Sequence, residues 1–167
     1  TKDAVRLLEH VVKVRDNTLA ETHPDQLASQ HQLSVSYWAN GQTEDAVRLL
    51  EHVVKVQDDT LAETHPNRLT SEHQLGVSYW ANGQIEDSVR LLEHVVKVQD
   101  DTLAETHPDQ LASQHQLSVS YWANGQTEDA VRLLEHVVKV QDDTLAETHP
   151  SRLASERWLS YMTSNRA

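Results

Sequence analysis

Residues 24–65 read PDQLASQHQLSVSYWANGQTEDAVRLLEHVVKVQDDTLAETH, and nearly the same 42 residues follow again from Pro66 and once more from Pro108. Ala39-Asn40-Gly41-Gln42 returns as Ala81-Asn82-Gly83-Gln84 and Ala123-Asn124-Gly125-Gln126. His-Pro keeps register at His23-Pro24, His65-Pro66, His107-Pro108 and His149-Pro150, and Tyr-Trp does so at 37–38, 79–80 and 121–122. A fixed period of roughly 20–50 residues marks a solenoid, whose units bury their apolar faces only against neighbours. Such an architecture points to binding rather than catalysis.

Each unit reads as two helices. Pro24 suits the first turn of a helix, where no N–H is needed, and Asp25 sits at the positive end of its dipole. Leu27, Leu33, Ser34 and Tyr37 share one arc of the helical wheel, with Gln30 in the same arc as the exception. Asn40-Gly41 then supplies a left-handed stop. This predicts helix A over about 24–40. Thr43 is an N-cap candidate with Glu44 and Asp45 in the following turn. Ala46, Leu49, Leu50, Val53, Val54 and Leu61 continue at helical spacing, predicting helix B over about 43–62. Thr64-His65-Pro66 should end it, because the residue before proline is pushed out of the α region. The order B A B A B A B A makes an all-α chain of about eight helices.

The chain opens in mid-unit, Thr1-Lys2-Asp3-Ala4 aligning with Thr43-Glu44-Asp45-Ala46. We read one repeat domain, 1–167, as a half unit (1–23), complete units 24–65, 66–107 and 108–149, and a terminal helix A at 150–167. It reads as a fragment of a longer protein. After Glu156 the repeat departs: Arg157-Trp158 replaces His115-Gln116, and Tyr161-Met162 replaces Val119-Ser120. Trp158, Leu159 and Tyr161 are therefore candidates for a cap or a dimer contact.

Acidic residues outnumber basic ones 26 to 14, for a formal net charge of −12. That field repels phosphate backbones and anionic lipid, so neither nucleic acid nor membrane is expected as a partner. There is no cysteine, no charged-then-apolar leader and no apolar run of roughly 18 residues. A cytoplasmic protein is the expectation.

Leu33, Ser34, Tyr37, Gly41, Ala46, Leu50 and Val53 together resemble the tetratricopeptide-repeat signature, and Gly76 supplies its glycine in the second copy. The signature's leading Trp is replaced by Gln30, Glu72 and Gln114, and its late Ala by Val53, Val95 and Val137. A 42-residue period with DDTLAETHP after helix B looks like the kinesin-light-chain variety of the repeat. The resemblance implies an α-solenoid of antiparallel helix pairs in a right-handed superhelix, A helices lining its concave wall. It also implies protein or peptide ligands and no cofactor. Units 4–45 and 88–129 differ only at Ala4/Ser88, Arg15/Gln99 and Asn17/Asp101. Such near-identity resembles the repeat regions of NLR-like signalling ATPases, though no phosphate-binding loop is present, and it is also what consensus design produces.

The family usually contacts peptides from the side flanking the buried arc of helix A. Carried over, that side holds Ala28, Thr70 and Ala112; His31, His73 and His115; Gln32, Gln74 and Gln116; Val35, Val77 and Val119; and Trp38, Trp80 and Trp122. Each Trp has two readings, a rigid ligand contact or packing between consecutive A helices. Tyr37, Tyr79 and Tyr121 read as core. The leading expectation is a non-catalytic interaction module, the sensor or scaffold array of a larger NLR-like (STAND-type) signalling protein. The alternatives are a kinesin-light-chain-like cargo adaptor and a self-assembling or designed scaffold, with homo-oligomers formed through the terminal repeats.

The 11 histidines invite a metal, but His10, His52, His94 and His136 are one unit apart. Packed helices lie about 8–10 Å apart while zinc holds its ligand nitrogens at about 2 Å, so no metal is expected. His31, His73 and His115 are instead expected to charge together near about pH 6. No cysteine nucleophile and no G-x-S-x-G elbow is present, so catalysis is not expected. The units vary most at the front of helix A, at 25/67/109/151, 26/68/110/152, 28/70/112/154 and 30/72/114/156. Two readings stay open there, tuned recognition or free drift at exposed positions.

Overall fold

A computed structural model of the chain describes residues 2–165. Among them are eight α-helices and no strand: α1 (Lys2–Asp16), α2 (Pro24–Ala39), α3 (Thr43–Thr60), α4 (Pro66–Ala81), α5 (Ile85–Thr102), α6 (Pro108–Ala123), α7 (Thr127–Thr144) and α8 (Pro150–Ser164). The odd-numbered helices are the predicted B helices and the even-numbered ones the A helices. Thr1, the counterpart of Thr43, lies outside the described residues. No helix among those described is long and apolar enough to cross a membrane. The chain forms two compact units, Thr1–Gln84 and Ile85–Ala167. In the first, α1 packs on α2, α2 on α3 and α3 on α4, and the A helices α2 and α4 touch. In the second, α5 to α8 repeat the same pattern, with α6 touching α8.

His-Pro proves to be a two-residue start signal. Proline needs no hydrogen-bond acceptor, and the preceding histidine is the N-cap, its Nδ1 accepting the backbone N–H of the next residue but one. The distances are 3.1 Å to Asp25 and 3.2 Å to each of Asn67, Asp109 and Ser151. An imidazole that accepts through Nδ1 carries its proton on Nε2. At the other end of α2, Gly41 has φ +79°, which a Cβ would strain. The Gly41 and Gln42 N–H groups return to the Trp38 and Tyr37 carbonyls at 3.0 and 2.9 Å, the paired bonds of a Schellman stop.

The helix α3 keeps close to the expected span, but its cap and its stop are made differently. Gln42, not Thr43, is the N-cap of α3, with no side-chain capping bond. The Thr43 hydroxyl donates instead to Asn82 Oδ1 at 2.9 Å, in the turn after α4. The helix also stops at Thr60, well before Pro66, because Leu61 goes extended (φ −121°, ψ 147°) and tucks in half-buried. His65 N–H then closes a turn on the Ala62 carbonyl at 2.9 Å. Pro66 therefore starts α4 rather than ending α3.

The core of the first unit holds the B-helix residues Ala46, Leu50 and Val53, and that of the second holds Leu92 and Val95 with Ala130, Leu134 and Val137, all with no exposed surface. Burial of each leucine or valine side chain contributes about 1.5–3 kcal/mol. Tyr37 packs on Val5, Val12 and Leu33, and Tyr121 on Leu92, Val96 and Leu117. The tyrosines are core by their rings only. Their hydroxyls donate to Glu9, Glu51 and Glu93 at 2.9, 2.8 and 2.7 Å, tying each A helix to the preceding B helix. Burial, then the Glu9 carboxylate, pushes the Tyr37 hydroxyl up to about 12.

Candidate functional site

The A-helix pairs gather the candidate positions into two sets, one on α2 and α4 and one on α6 and α8. Ala28, Thr70, Ala112 and Gln32 are exposed, and Gln74, Gln116, Val35 and Val77 are half-buried. Val119 is a correction. It is 3% exposed and cannot line an open face. There α6 packs on α8, which carries Trp158 and Tyr161 where the repeats carry Gln and Val.

Trp38 is 40% exposed, whereas Trp80 and Trp122 are half-buried. Trp122 meets Tyr161 edge-on with ring centroids 6.0 Å apart, and Tyr161 meets Trp158 at 5.8 Å and 89°. Packing between A helices is thus realised for Trp122, while Trp38 offers surface. Tyr161, 52% exposed, stands between two indoles, Leu159 is half-buried, and Met162 beside them is fully buried and anchors α8.

His31 and His115 are half-buried and reach across to the next A helix, to Ser71 Oγ at 3.4 Å and Ser155 Oγ at 2.9 Å. Burial lowers the pKa of both below the ordinary 6.5. A desolvated imidazole resists protonation, so these two take up charge at lower pH than a free imidazole does. Of the remaining histidines, His52 faces Glu21 at 3.5 Å and His136 faces Glu105 at 3.6 Å. Among the described residues no three His, Asp or Glu side chains could hold a metal ion.

The variable front of helix A answers to neither drift nor open recognition at two of its four positions. Gln26 (1% exposed) and Gln30 (6%) are buried. Both Nε2 groups donate to Asp16 Oδ1, the Gln30 bond at 3.4 Å. Gln110 and Gln114 treat Asp100 the same way, at 2.5 and 3.3 Å. In the alternate units the equivalent pair is Arg68 and Glu72. Arg68 Nε donates to Glu72 Oε1 at 2.8 Å, its Nη2 meets Asp58 at 2.9 Å, and Nη1 reaches the Leu61 carbonyl at 3.3 Å. Burial alone would lower the Arg68 pKa, but the Glu72 hydrogen bond and the Asp58 charge raise it overall. Arg152 repeats the arrangement with Glu156 at 2.9 Å and Asp142 at 3.1 Å. The two positions change together because two glutamines can share the aspartate, whereas an arginine that meets the aspartate is also bonded to the glutamate four residues on. Their spacing of four residues, always Gln with Gln or Arg with Glu, was the available signal.

Two tetratricopeptide-repeat family models match the chain, one over residues 60–143 and one over residues 26–67. It is 52% identical to the crystal structure of nearly identical TPR-like repeats from a Podosopora anserina protein put forward as a kinesin light chain. The likeness has a TM-score of 0.85 and covers 98% of this chain and 77% of that one. A point variant of those repeats superposes with a TM-score of 0.86 at the same identity and coverage. BtubC (BKLC) from P. vanneervenii shares the fold, with a TM-score of 0.81 over 98% of this chain and 65% of that one at 14% identity. No curated protein matches the chain.

Proposed function

The chain belongs to the tetratricopeptide-repeat family, and on that premise we propose that it is a non-catalytic protein-interaction module holding a peptide or protein surface against its A-helix faces. The family generally binds proteins. The observation that carries the proposal to these faces is Trp38, a rigid amphipathic side chain left 40% exposed on α2, with exposed Ala28 and Gln32 on the same helix. The array serves in the cytoplasm as the sensor or scaffold part of a larger NLR-like signalling protein. The near-identity of its units supports that setting, since a uniform array presents the same side chains repeatedly and gains avidity without new chemistry.

A cargo-adaptor role like that of kinesin light chain is the second reading, favoured by the 52% identity to the Podosopora anserina repeats. The candidate positions carry no Lys or Arg, so acidic peptides or free carboxylates gain nothing from them. A displayed peptide library selected on the chain, then rescreened on a Trp38→Ala/Trp80→Ala/Trp122→Ala variant shown to be helical, tests the interaction proposal. Peptides retained with unchanged affinity by the variant would sink it for these faces. Light scattering over a wide range of concentration tests homo-oligomers through the terminal repeats, and a constant monomer mass rejects them.

A further inference from the structure

In the second unit a cavity of about 290 Å³ lies among α6, the end of α7 and the start of α8. Leu111 and Leu145 form part of its apolar wall, and Gln141, Ser151, Ser155 and His115 supply polar groups. The size is at the lower edge of ligand sites, suited to one side chain. Gln141 is 3% exposed, and its Oε1 accepts no hydrogen bond. An unpaired buried amide carbonyl costs free energy that a donor from outside would recover. Gln57 and Gln99, at the same place in the other units, carry the same unpaired oxygen.

The chain itself indicates which donor fits. In α1 the residue at this place is Arg15. Its Nη1 donates to the Asp25 carbonyl at 2.5 Å and to Ser29 Oγ. Asp25 and Ser29 are the counterparts of Ser151 and Ser155. A guanidinium therefore fills, between α1 and α2, the position that Gln141 leaves unsatisfied between α7 and α8. We propose that the cavity binds a guanidinium group, the arginine side chain of a polypeptide partner, through N–H bonds to Gln141 Oε1, Ser155 Oγ and the Ser151 carbonyl. The source of that arginine rests on the interaction reading above, while the chemistry of the site does not.

Guanidinium is planar, weakly hydrated and rich in donors, which suits a pocket with apolar walls and several acceptors. The negative dipole end of α7 offsets the positive end of α8, and the net charge of −12 draws in cations. Burial disfavours the charged form of His115, which limits its repulsion of a cation.

The experiment is an amide-resolved NMR titration of the whole chain at neutral pH. The probes are N-acetylarginine amide, its uncharged ureido counterpart N-acetylcitrulline amide, and N-acetyllysine amide. The arginine probe should shift Ser151, Ser155 and the Gln141 side-chain amide saturably, with the other two at least about tenfold weaker. The Gln141→Arg variant should fold, since α1 carries arginine there, and should bind the arginine probe at least about tenfold more weakly because its own guanidinium occupies the place. Equal binding of the citrulline probe, unchanged affinity in folded Gln141→Arg, or shifts confined to other residues each overturn the proposal. None of those results touches the tryptophan test, so failure of the cavity and failure of the interaction reading are separable.

Discussion

Between α1 and α2, and again between α5 and α6, an aspartate near the end of the B helix accepts two neutral glutamine amides. Between α3 and α4, and between α7 and α8, the equivalent aspartate meets an arginine whose other edge is tied to a glutamate four residues on. The backbone is the same and the energetics are not. A neutral amide pair can lose one member at the cost of a hydrogen bond, whereas an ion pair that loses one member strands a charge. Glu72, with its side chain only 3% exposed, makes the α3/α4 junction the more brittle, and Glu156, at 37%, shows the terminal copy relaxed toward solvent.

Breaking the comparison takes one substitution. Arg68→Gln should destabilise the chain by on the order of 3 kcal/mol in urea unfolding, because the Glu72 carboxylate stays buried without its arginine. Adding Glu72→Gln should return most of that loss by recreating the Gln–Gln junction, and a double variant no more stable than the single one would show that the two junction types are not interchangeable. The matching change on the neutral side, Gln26→Ala, should cost only about 1 kcal/mol.

A smaller contrast of the same kind sits in the core. Ser88 and Ser120 are fully buried and share a hydrogen bond of 2.8 Å. At the equivalent place in the first unit Ala46 stands for Ser88, and the fully buried Ser78 hydroxyl has no partner. Ser88→Ala should therefore lose about 1–2 kcal/mol, and Ala46→Ser should gain about 0.5–1 kcal/mol, each read from the urea midpoint. An Ala46→Ser variant less stable than the parent would mean that the hydroxyl does not fit there.

The smallest effect separates His115 from His31. Their pKa values are lowered in the fold, so below about 6.5 the unfolded chain binds more protons, and stability present above that pH falls as the solution is acidified toward the lowered values. His115, held at 2.9 Å by Ser155 where His31 has only 3.4 Å to Ser71, should carry more of this slope. Unfolding curves between about pH 7.5 and 5 should flatten more in His115→Gln than in His31→Gln. Equal slopes would remove the distinction.

Much of this is legible in the amino-acid order alone. Helix order, the Gly41 stop and the proline starts follow from local rules acting over a few residues, and the 42-residue period repeats them. The capping imidazoles were visible as His-Pro but not legible as caps, because histidine is not a usual N-cap and its acceptor role depends on a ring orientation. Val119 looked like its counterparts Val35 and Val77, and its burial goes with the larger Trp158 and Tyr161 on the helix beside α6.

The division has a physical cause. Turns, caps and helical faces are set by backbone sterics and hydrogen bonds within one stretch of chain, so the amino-acid order alone decides that this is an array of helix pairs. Asp16 with Gln26, Asp58 with Arg68, Ser88 with Ser120, and the unpaired Gln141 carbonyl join residues 10 or more apart or depend on what a neighbouring helix fails to supply. Burial strengthens or penalises such polar groups by amounts no local rule contains, and burial exists only once the helices have packed.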